Sequence, residues 1–320
     1  MKSAMFTVAV ALILGASRAS AQDQTTAAMT QNGIGNQSYV EQCQVTSESQ
    51  VTVTQTGNYN MVGDPGSRTG GILQRDTNRM RINVNQLGEN NQLTFSQVRG
   101  DFDLVTINQS GAGNIATVRQ DGMYESGVRI EQSGERNLID AGGTQSLAFG
   151  FSASQTGAGN VIGLKRSDSG FGGPAVTQEG YGNRATINQH NGAYSFVDIR
   201  QAGTDNQATA IRLDTLFGNT DVSQSGAGNQ ATSATSDLDN FATTLQTGNG
   251  NQASINQRLN SNGSTITQSG NVNTASIAQT GPATPAFETP NVAWIAQTGD
   301  GFSATITQTG SGNSAGIHQH

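Results

Sequence analysis

Amide side chains are the residues of this sequence whose types and regular spacing predict a shared chemistry. In Val105–Gln120, the amides Gln109, Asn114 and Gln120 follow one another at offsets of five and six residues. From Gln86 onward the opening Gln recurs at steps of 23 and later 22 residues, with an Asn five residues after each copy. Each amide offers both donors and acceptors, so the predicted chemistry is hydrogen bonding from one repeat to the next.

The recurring amides have the same parity as the apolar residues beside them, so we expect them to face inward. Burying an amide without a partner costs about 1–3 kcal/mol. Stacking on an identical amide above and below removes that cost, as in the Asn/Gln ladders of cross-β structure. The alternative is that they are ordinary polar turn residues. The residues predicted to form the structural ladder and to carry self-assembly are Gln86, Asn91, Gln97, Gln109, Asn114, Gln120, Gln132, Asn137, Gln155, Asn160, Gln178, Asn183, Gln189, Gln201, Asn206, Gln224, Asn229, Gln246, Asn251, Gln257, Gln268, Asn273 and Gln279.

Other motifs that resemble functional sites lack the context that such sites need. Gly111–Ala116 is similar to a dinucleotide fingerprint, which should open a helix after a strand. Here the motif lies between two strands and recurs at Gly226–Gly228, so no cofactor is expected. His190, His318 and His320 have no Cys or carboxylate cluster at metal-ligand spacing, so no metal is expected. No Ser/His/Asp arrangement stands out either, so we expect no catalytic residues and no enzyme.

Apolar residues alternate on both sides of each Gly-rich corner, and this pattern predicts the elements that position the amides. Val105 and Ile107 precede one corner, and Ala116 and Val118 follow it. A period of two residues indicates β-strands with one buried face. Glycine at the corner accepts a positive φ at little cost. No helical periodicity competes with this pattern after Gln22.

Each repeat therefore consists of a strand, a tight corner, a second strand and a looser corner. Two strands this short cannot bury their own apolar face, whereas stacked repeats can. We expect an all-β fold, a β-solenoid with 22–23 residues in each repeat. It would have roughly a dozen rungs, paired in parallel about 4.7–4.9 Å apart, with cross-β-like Gln/Asn ladders. Loop insertions are predicted near residues 63–72 and 281–291.

The composition fits a thin core better than a globular one. The 320 residues include 41 Gly, 33% hydrophobic residues and only 12% charged residues. Ordinary globular domains have about 25% charged residues and a larger apolar share. Low charge together with strong periodicity favours a repetitive fold over disorder. The formal net charge of -7 and the scattered Arg residues make nucleic acid an unexpected partner.

The N-terminus has the features of an export signal over residues 1–21. Lys2 precedes an apolar run, Ala4–Gly15, that is too short to span a bilayer, and Ala19–Ala21 supplies small residues for cleavage. Cleavage would remove Lys2, Arg18 and no acidic residue, which shifts the formal charge from -7 to -9. No later segment is apolar enough to cross a membrane, so a secreted mature chain, residues 22–320, is expected.

Several residues depart from the regular pattern. Cys43 is the single cysteine, so no internal disulfide is expected, and the thiol is either buried or bridges two chains. Arg166 and Arg212 occupy the position of the closing Gln, and Gly143 does so in another repeat. Inward or edge charge discourages uncontrolled strand addition. The alternative is that these corners splay and the Arg side chains reach solvent.

The frame Q-x-G-x-x-N-x-A-x-[I/V]-x-Q resembles the curlin repeat of bacterial curli fibre subunits. Clear copies are Gln109–Gln120, Gln178–Gln189, Gln246–Gln257 and Gln268–Gln279, and the resemblance covers most of Gln31–Gln319. It implies secretion from a Gram-negative cell through an outer-membrane pore, with a periplasmic chaperone. It also implies nucleated assembly with other curlin subunits into extracellular amyloid fibres, with roles in biofilm matrix and adhesion. Curlins have about five repeats, and this chain has roughly twice as many.

The expected function is therefore that of a structural fibre subunit that joins copies of itself end to end. The sequence repeat runs to Gln319, so no polar cap is expected on the last rung. One alternative is a monomeric surface adhesin or glycan-binding module, which would need capped terminal rungs. Another is a β-helical polysaccharide-cleaving enzyme, which would need a charged cluster on one outer face and long loops around a cleft.

Overall fold

Alternating burial of side chains organises the strands of this protein, as seen in a computed structural model. In β9, Leu104–Ala112, the side chains of Val105, Ile107 and Gln109 are buried and those between them are half-exposed. The structure describes residues 9–14 (backbone only), 25–43, 45, 48–63, 71–101, 103–122, 124, 127–144, 150–167, 170–282 and 289–320. Within these ranges every regular element is a strand and no helix occurs.

The chain divides into two compact units, Met1–Gly159 and Asn160–His320. The first unit contains β1 (Ala9–Leu14), β2 (Thr26–Asn32), β3 (Gln37–Cys43), β4 (Gln50–Asn58), β5 (Met61–Val62), β6 (Ile72–Asn78), β7 (Arg81–Glu89), β8 (Gln92–Asp101), β9, β10 (Ile115–Asp121), β11 (Gly127–Glu135), β12 (Leu138–Thr144) and β13 (Gly150–Ala158).

The second unit contains β14 (Val161–Ser167), β15 (Pro174–Tyr181), β16 (Arg184–His190), β17 (Ala193–Thr204), β18 (Gln207–Ala227), β19 (Gln230–Asn249), β20 (Gln252–Arg258), β21 (Asn262–Ser269), β22 (Thr274–Thr280), β23 (Asn291–Thr298), β24 (Ser303–Thr309) and β25 (Ser314–Gln319). The long strands β18 and β19 each continue through a corner. The early and late parts of each strand therefore belong to different sides of the stack.

Most strands pair in parallel with the strand two positions along the chain, which makes each unit a stack of rungs. In the first unit β7 pairs with β9 and β9 with β11, while β8 pairs with β10 and β10 with β12. Gln86, Gln109 and Gln132 are in register across three rungs. The predicted fold class is confirmed: an all-β solenoid of parallel stacked strands, with about 12 turns in the two units together.

Two columns of strands and two kinds of corner recur in every rung. We call the strands that lead to the Gly-rich turn, such as β9, the first column, and the strands that follow it, such as β10, the second column. The first corner is the turn between them, such as Gly111–Asn114. The second corner links back to the next first-column strand, as residues 191–192 do between β16 and β17.

Glycine at the first corner is required by both backbone angle and space. Gly111 has φ of 103°, and a Cβ built on it would lie 2.1 Å from the carbonyl oxygen of Gly134 in the next rung. Gly88 and Gly134 have the same conformation and the same close approach to the rung that follows. A side chain at these positions would therefore meet both backbone strain and a backbone clash.

The predicted leader and insertions lie largely outside the described residues. The centres of the two loop insertions, residues 64–70 and 283–288, are not described, and the flanking strands begin at Ile72 and Asn291. Of the predicted leader, residues 1–21, only the backbone of β1 is described, and it pairs in parallel with β3.

Candidate functional site

An unbroken ladder of Gln side chains follows the first column within each unit. Gln109 Nε2 donates to Gln132 Oε1 at 2.9 Å, and Gln109 Oε1 accepts from Gln86 Nε2 at 2.8 Å. The bonds run from Gln31 through Gln55, Gln86, Gln109 and Gln132 to Gln155 in the first unit, and from Gln178 through Gln201, Gln224, Gln246, Gln268 and Gln297 to Gln319 in the second. Every donor points toward the later residue, so the ladder has a direction.

Ladder Gln residues such as Gln109 also bond the second-column strand of the preceding rung and the first corner of their own rung. Gln109 Nε2 contacts the carbonyl oxygens of Gln92 at 2.9 Å and Asn114 at 3.2 Å. Gln132 does the same with Ile115 and Asn137. Gln109 is 1% exposed, so these bonds satisfy an amide that would otherwise carry the cost of burial.

A second ladder, of Asn side chains, closes the first corner. Asn114 Nδ2 donates to Asn91 Oδ1, to the Ser110 carbonyl of its own turn and to the Gly134 carbonyl of the next rung, each at 3.0 Å. The buried Asn residues of this corner are Asn36, Asn60, Asn91, Asn114 and Asn137 in the first unit, and Asn160, Asn183, Asn206, Asn229, Asn251 and Asn273 in the second. The predicted inward position of these amides is therefore confirmed, although they also bond the turn backbone as turn residues do.

The predicted ladder of closing Gln residues is only partly formed. Near the C-terminal end of the described chain, Gln257 donates to Gln279 at 3.0 Å and Gln279 donates to Gln308 at 2.8 Å. In the first unit, Gln42 donates to Gln74 at 2.6 Å. Gln97 and Gln189 instead bond neighbours of another type. Gln189 Nε2 donates to the Oγ of Ser195 at 2.5 Å and to its carbonyl oxygen at 3.2 Å.

The substituted positions in the second column explain why this ladder breaks. Gln189 is in register with Arg212, which offers no acceptor, so an amide-to-amide bond cannot form there. Gln97 donates to the Asp103 carboxylate, a stronger acceptor than an amide. Gln120 is buried and in register with Gly143, which has no side chain. The expectation of identical stacked amides was wrong for Gln97 and Gln189.

The two Arg residues of the second column lie inside the solenoid, so the alternative in which they reach solvent was wrong. Arg166 donates through Nη1 and Nη2 to the carbonyl oxygens of Gly172 and Gly170. Arg212 is fully buried and donates through Nη1 to Thr220 Oγ1 at 2.9 Å. Burial lowers the pKa of each guanidinium to about 10, so both remain charged at neutral pH.

An additional Asn ladder at the second corner was missed by the sequence analysis. Asn262 Nδ2 donates to Asn240 Oδ1 at 2.8 Å, Asn291 to Asn262 at 3.0 Å, and Asn313 to Asn291 at 2.9 Å. The available signal was the spacing of these residues, 22, 29 and 22, which matches the spacing of Gln246, Gln268, Gln297 and Gln319. In these rungs both corners are built the same way.

Cys43 is half-buried on β3. Its Sγ lies 3.2 Å from Glu41 Oε1. Burial, followed by the hydrogen bond that the thiol donates to Glu41, raises the pKa of Cys43 above its ordinary value. The thiol is therefore held in its protonated, less reactive form.

Exposed side chains on the described surface form pairs between rungs. Ser167 Oγ lies 2.5 Å from His190 Nδ1, and both side chains are at the surface. Arg99 and Asp121 form an ion pair at 2.7 Å. No group of three or more His, Cys, Asp or Glu residues suited to a metal ion occurs within the described ranges. Those ranges also contain no helix of the length and apolarity that a membrane span requires.

Comparison with known proteins does not assign this chain to a family. No model of a known protein family matches it, and no curated protein is significantly similar to it. Its class therefore follows from its geometry: a β-solenoid whose interior is joined from rung to rung by directional amide ladders.

Proposed function

We propose that this chain is a structural subunit of extracellular, curlin-like amyloid fibres that grow by end-to-end stacking of copies. The resemblance of the repeat to the curlin frame and the parallel solenoid support this class of function. A mature chain of residues 22–320 would leave a Gram-negative cell through an outer-membrane pore with the help of a periplasmic chaperone. It would join other copies and other curlin subunits in biofilm matrix and adhesion.

The observation that carries the proposal is that the Gln ladder has complementary unfilled ends. At β2, Gln31 Nε2 donates to Gln55, but Gln31 Oε1 is buried and accepts no hydrogen bond. At β25, Gln319 Oε1 accepts from Gln297, and Gln319 Nε2 donates only to the carbonyl oxygen of Ser303. The acceptor is thus open at one end of the ladder and the donor at the other.

Strand edges are open at the same two places. β2 pairs with β4, and β25 pairs with β23; within the described residues no strand covers the other edge of either. Such edges are templates for a strand of another chain. Placing β2 of a second copy on β25 extends the parallel sheet and lets Gln319 donate to Gln31 of that copy.

The direction of the ladder restricts how copies can join. A head-to-tail junction pairs the open donor with the open acceptor. A junction between two equal ends would oppose two acceptors or two donors, and a buried polar group left unpaired costs about 1–3 kcal/mol. The fibre we propose is therefore polar, with all copies pointing the same way.

Assembly of the purified mature chain tests the proposal. We expect thioflavin fluorescence to rise after a lag that preformed fibres shorten, and fibre diffraction to give reflections near 4.7–4.8 Å and about 10 Å. A chain that stays monomeric at high concentration, or fibres without the 4.7–4.8 Å reflection, would overturn the proposal.

Gln319→Glu tests the junction itself. The Glu carboxylate still accepts from Gln297 but cannot donate onward, so elongation from fibre seeds should slow. Gln252→Glu is the matched control, because Gln252 is exposed and the charge change is the same. Equal elongation rates for both variants would contradict the junction between β25 and β2.

A monomeric adhesin or glycan-binding module is the second candidate. The observation in its favour is a stack of exposed aromatic rings, Phe171 on Tyr194 at 5.2 Å and Tyr194 on Phe217 at 5.3 Å. The ring faces cover one another, which leaves mainly ring edges for a ligand. A stable monomer that binds a glycan array, with binding lost in Tyr194→Ser, would favour this candidate over the fibre.

A further inference from the structure

The interior of the second unit contains a cation with unfilled donors. Arg212 is 0% exposed, and among the described residues only its Nη1 has a hydrogen-bond partner, the Oγ1 of Thr220. Its Nε and Nη2 are buried and make no hydrogen bond. Burial is the cause that shifts the pKa of Arg212, and no acidic group offsets it. The positive charge therefore has no negative partner in its surroundings.

The rung above Arg212 adds further donors of the same kind. Thr235 is in register with Arg212, and Ser233 is two residues earlier on the same strand. The hydroxyls of both are buried and form no hydrogen bond. A guanidinium and hydroxyl groups donate to anions, whereas cations require acceptors. The shared chemistry of these groups is therefore anion binding.

The core side chains beside Arg212 are smaller than those at the same position in the adjacent rungs. Ala210 and Ser233 occupy the core position that Ile187 and Ile255 fill in the adjacent rungs. Replacing Ile by Ala or Ser removes several heavy atoms at each position. Gly218 also lies against the guanidinium, since a Cβ built on it would be 2.5 Å from Arg212 Nη2.

Arg166 occupies the same ladder position, and both of its terminal nitrogens donate to backbone carbonyls. Its guanidinium donates to the carbonyl oxygens of Gly170 and Gly172, which belong to the second corner of its own rung. No comparable carbonyl contact is present at Arg212. A buried charge normally requires a paired charge or a bound ion, because desolvation otherwise costs several kcal/mol.

We propose that the solenoid interior at Arg212 binds one small monovalent anion of the size of chloride, held by Arg212 together with the hydroxyls of Thr235 and Ser233. Binding to the folded chain alone would stabilise the solenoid in proportion to the logarithm of the anion concentration. The site is independent of fibre formation, because it lies inside one unit and uses no open edge.

Bromide provides a direct probe of the site. The mature chain is folded in bromide, freed of exchangeable ions by desalting and then denatured, and the released bromide is measured by ion chromatography. We expect one bromide per chain from the wild type and from Arg166→Gln, and none from Arg212→Gln. Wild-type protein that releases no bromide has water at these donors, and this result overturns the proposal. Equal release from Arg212→Gln also overturns it, because the bromide is then an adventitious ion only.

Chloride-dependent stability is a second measurement, made at equilibrium with the anion. At constant ionic strength, replacing bulky gluconate by chloride should raise the unfolding midpoint of the wild type and of Arg166→Gln. The midpoint of Arg212→Gln should not respond. An equal response in all three proteins would contradict a site at Arg212.

Discussion

The two corners of each rung differ in how strictly they repeat, although one backbone path generates both. At the first corner most described rungs use the same set of Gln, Gly and Asn, and amides such as Gln109 and Asn114 meet their counterparts one rung away. At the second corner Gln189 turns to Ser195, and Arg166 turns to backbone carbonyls. The first corner repeats its rung-to-rung bonds along most of the described stack. The second corner joins rungs only in places, as through Asn240, Asn262 and Asn291, and elsewhere its polar groups bond nearby backbone or hydroxyl groups.

The comparison shows that the same residue types must recur at the first corner, whereas the second corner tolerates other residues. A Gly with positive φ packed against the next backbone has no substitute, and a ladder amide has partners on both sides. At the second corner a change of residue disturbs mainly its own rung. Substitutions of equal size should therefore cost more at the first corner than at the second.

Gly111→Ala should have the largest effect. The added Cβ meets the Gly134 carbonyl oxygen at 2.1 Å, and the residue must keep φ near 103°. Strain and overlap together should lower the free energy of unfolding by about 3 kcal/mol or more. Denaturant unfolding of the freshly purified monomer measures this.

The control is Gly127→Ala, because a Cβ at Gly127 meets no atom within 4 Å. It should change stability by about 0.5 kcal/mol or less. Similar losses of unfolding free energy in the two variants would show that the first corner does not specifically require glycine.

Gln109→Leu and Gln189→Leu compare the ladders directly. The first change leaves Gln86 without its acceptor and Gln132 without its donor, and should cost about 2–4 kcal/mol. Gln189 accepts no hydrogen bond and donates only to Ser195, so its replacement should cost about 1 kcal/mol. The unfolding midpoints of the two variants give the difference, and equal costs would show that the first-column ladder is worth no more than a local bond.

Cys43 follows Gln42, the closing Gln of its repeat. The reactivity of its thiol therefore tests the surroundings of the second corner. Since its pKa is raised, less thiolate is present at a given pH, and alkylation should be slower in the folded chain than in denaturant. Glu41→Gln removes the carboxylate that holds the thiol proton and should speed the reaction at pH 7–8. The pH dependence of the alkylation rate measures this, and an unchanged profile in Glu41→Gln would assign the shift to burial alone.

Asp121→Asn should have the smallest effect. The ion pair with Arg99 is exposed at both partners, with side-chain exposures of 41% and 58%. Exposed pairs contribute about 0–1 kcal/mol and are weakened by salt. The loss in unfolding free energy should be about 0.5 kcal/mol or less and should vanish at 1 M salt. A loss as large as that of Gln109→Leu would mean that surface pairs, and not the ladders, join the rungs.

Much of the fold was predictable because it follows from the spacing of residue types along the chain. Alternation around Val105 and Ile107 predicts a strand with one buried face, and a constant step between Gln109 and Gln132 predicts register between rungs. The inward amides follow from parity. These properties are local and repeated, so one repeat predicts the next.

The hydrogen bonds at irregular positions depend on which side chain or backbone group lies opposite in the folded rung. Spacing alone did not predict that Gln189 bonds Ser195 or that Asn240 begins a ladder at the second corner. The alternatives for Arg212 could be separated only by its burial. The hydrogen-bond partner of a polar side chain depends on the distance and the donor type of its neighbours. Those neighbours are known only once the rung has folded.

The sequence by itself determined the strands, the corners, the rung length and the first-column ladder, because each follows from a period that recurs along the chain. Only the tertiary structure decided how the irregular positions are satisfied and which ladder atoms remain open at Gln31 and Gln319. Periodicity states that identical groups stack. What a side chain does when its neighbour is not identical, or is missing, depends on the contacts that folding brings to it.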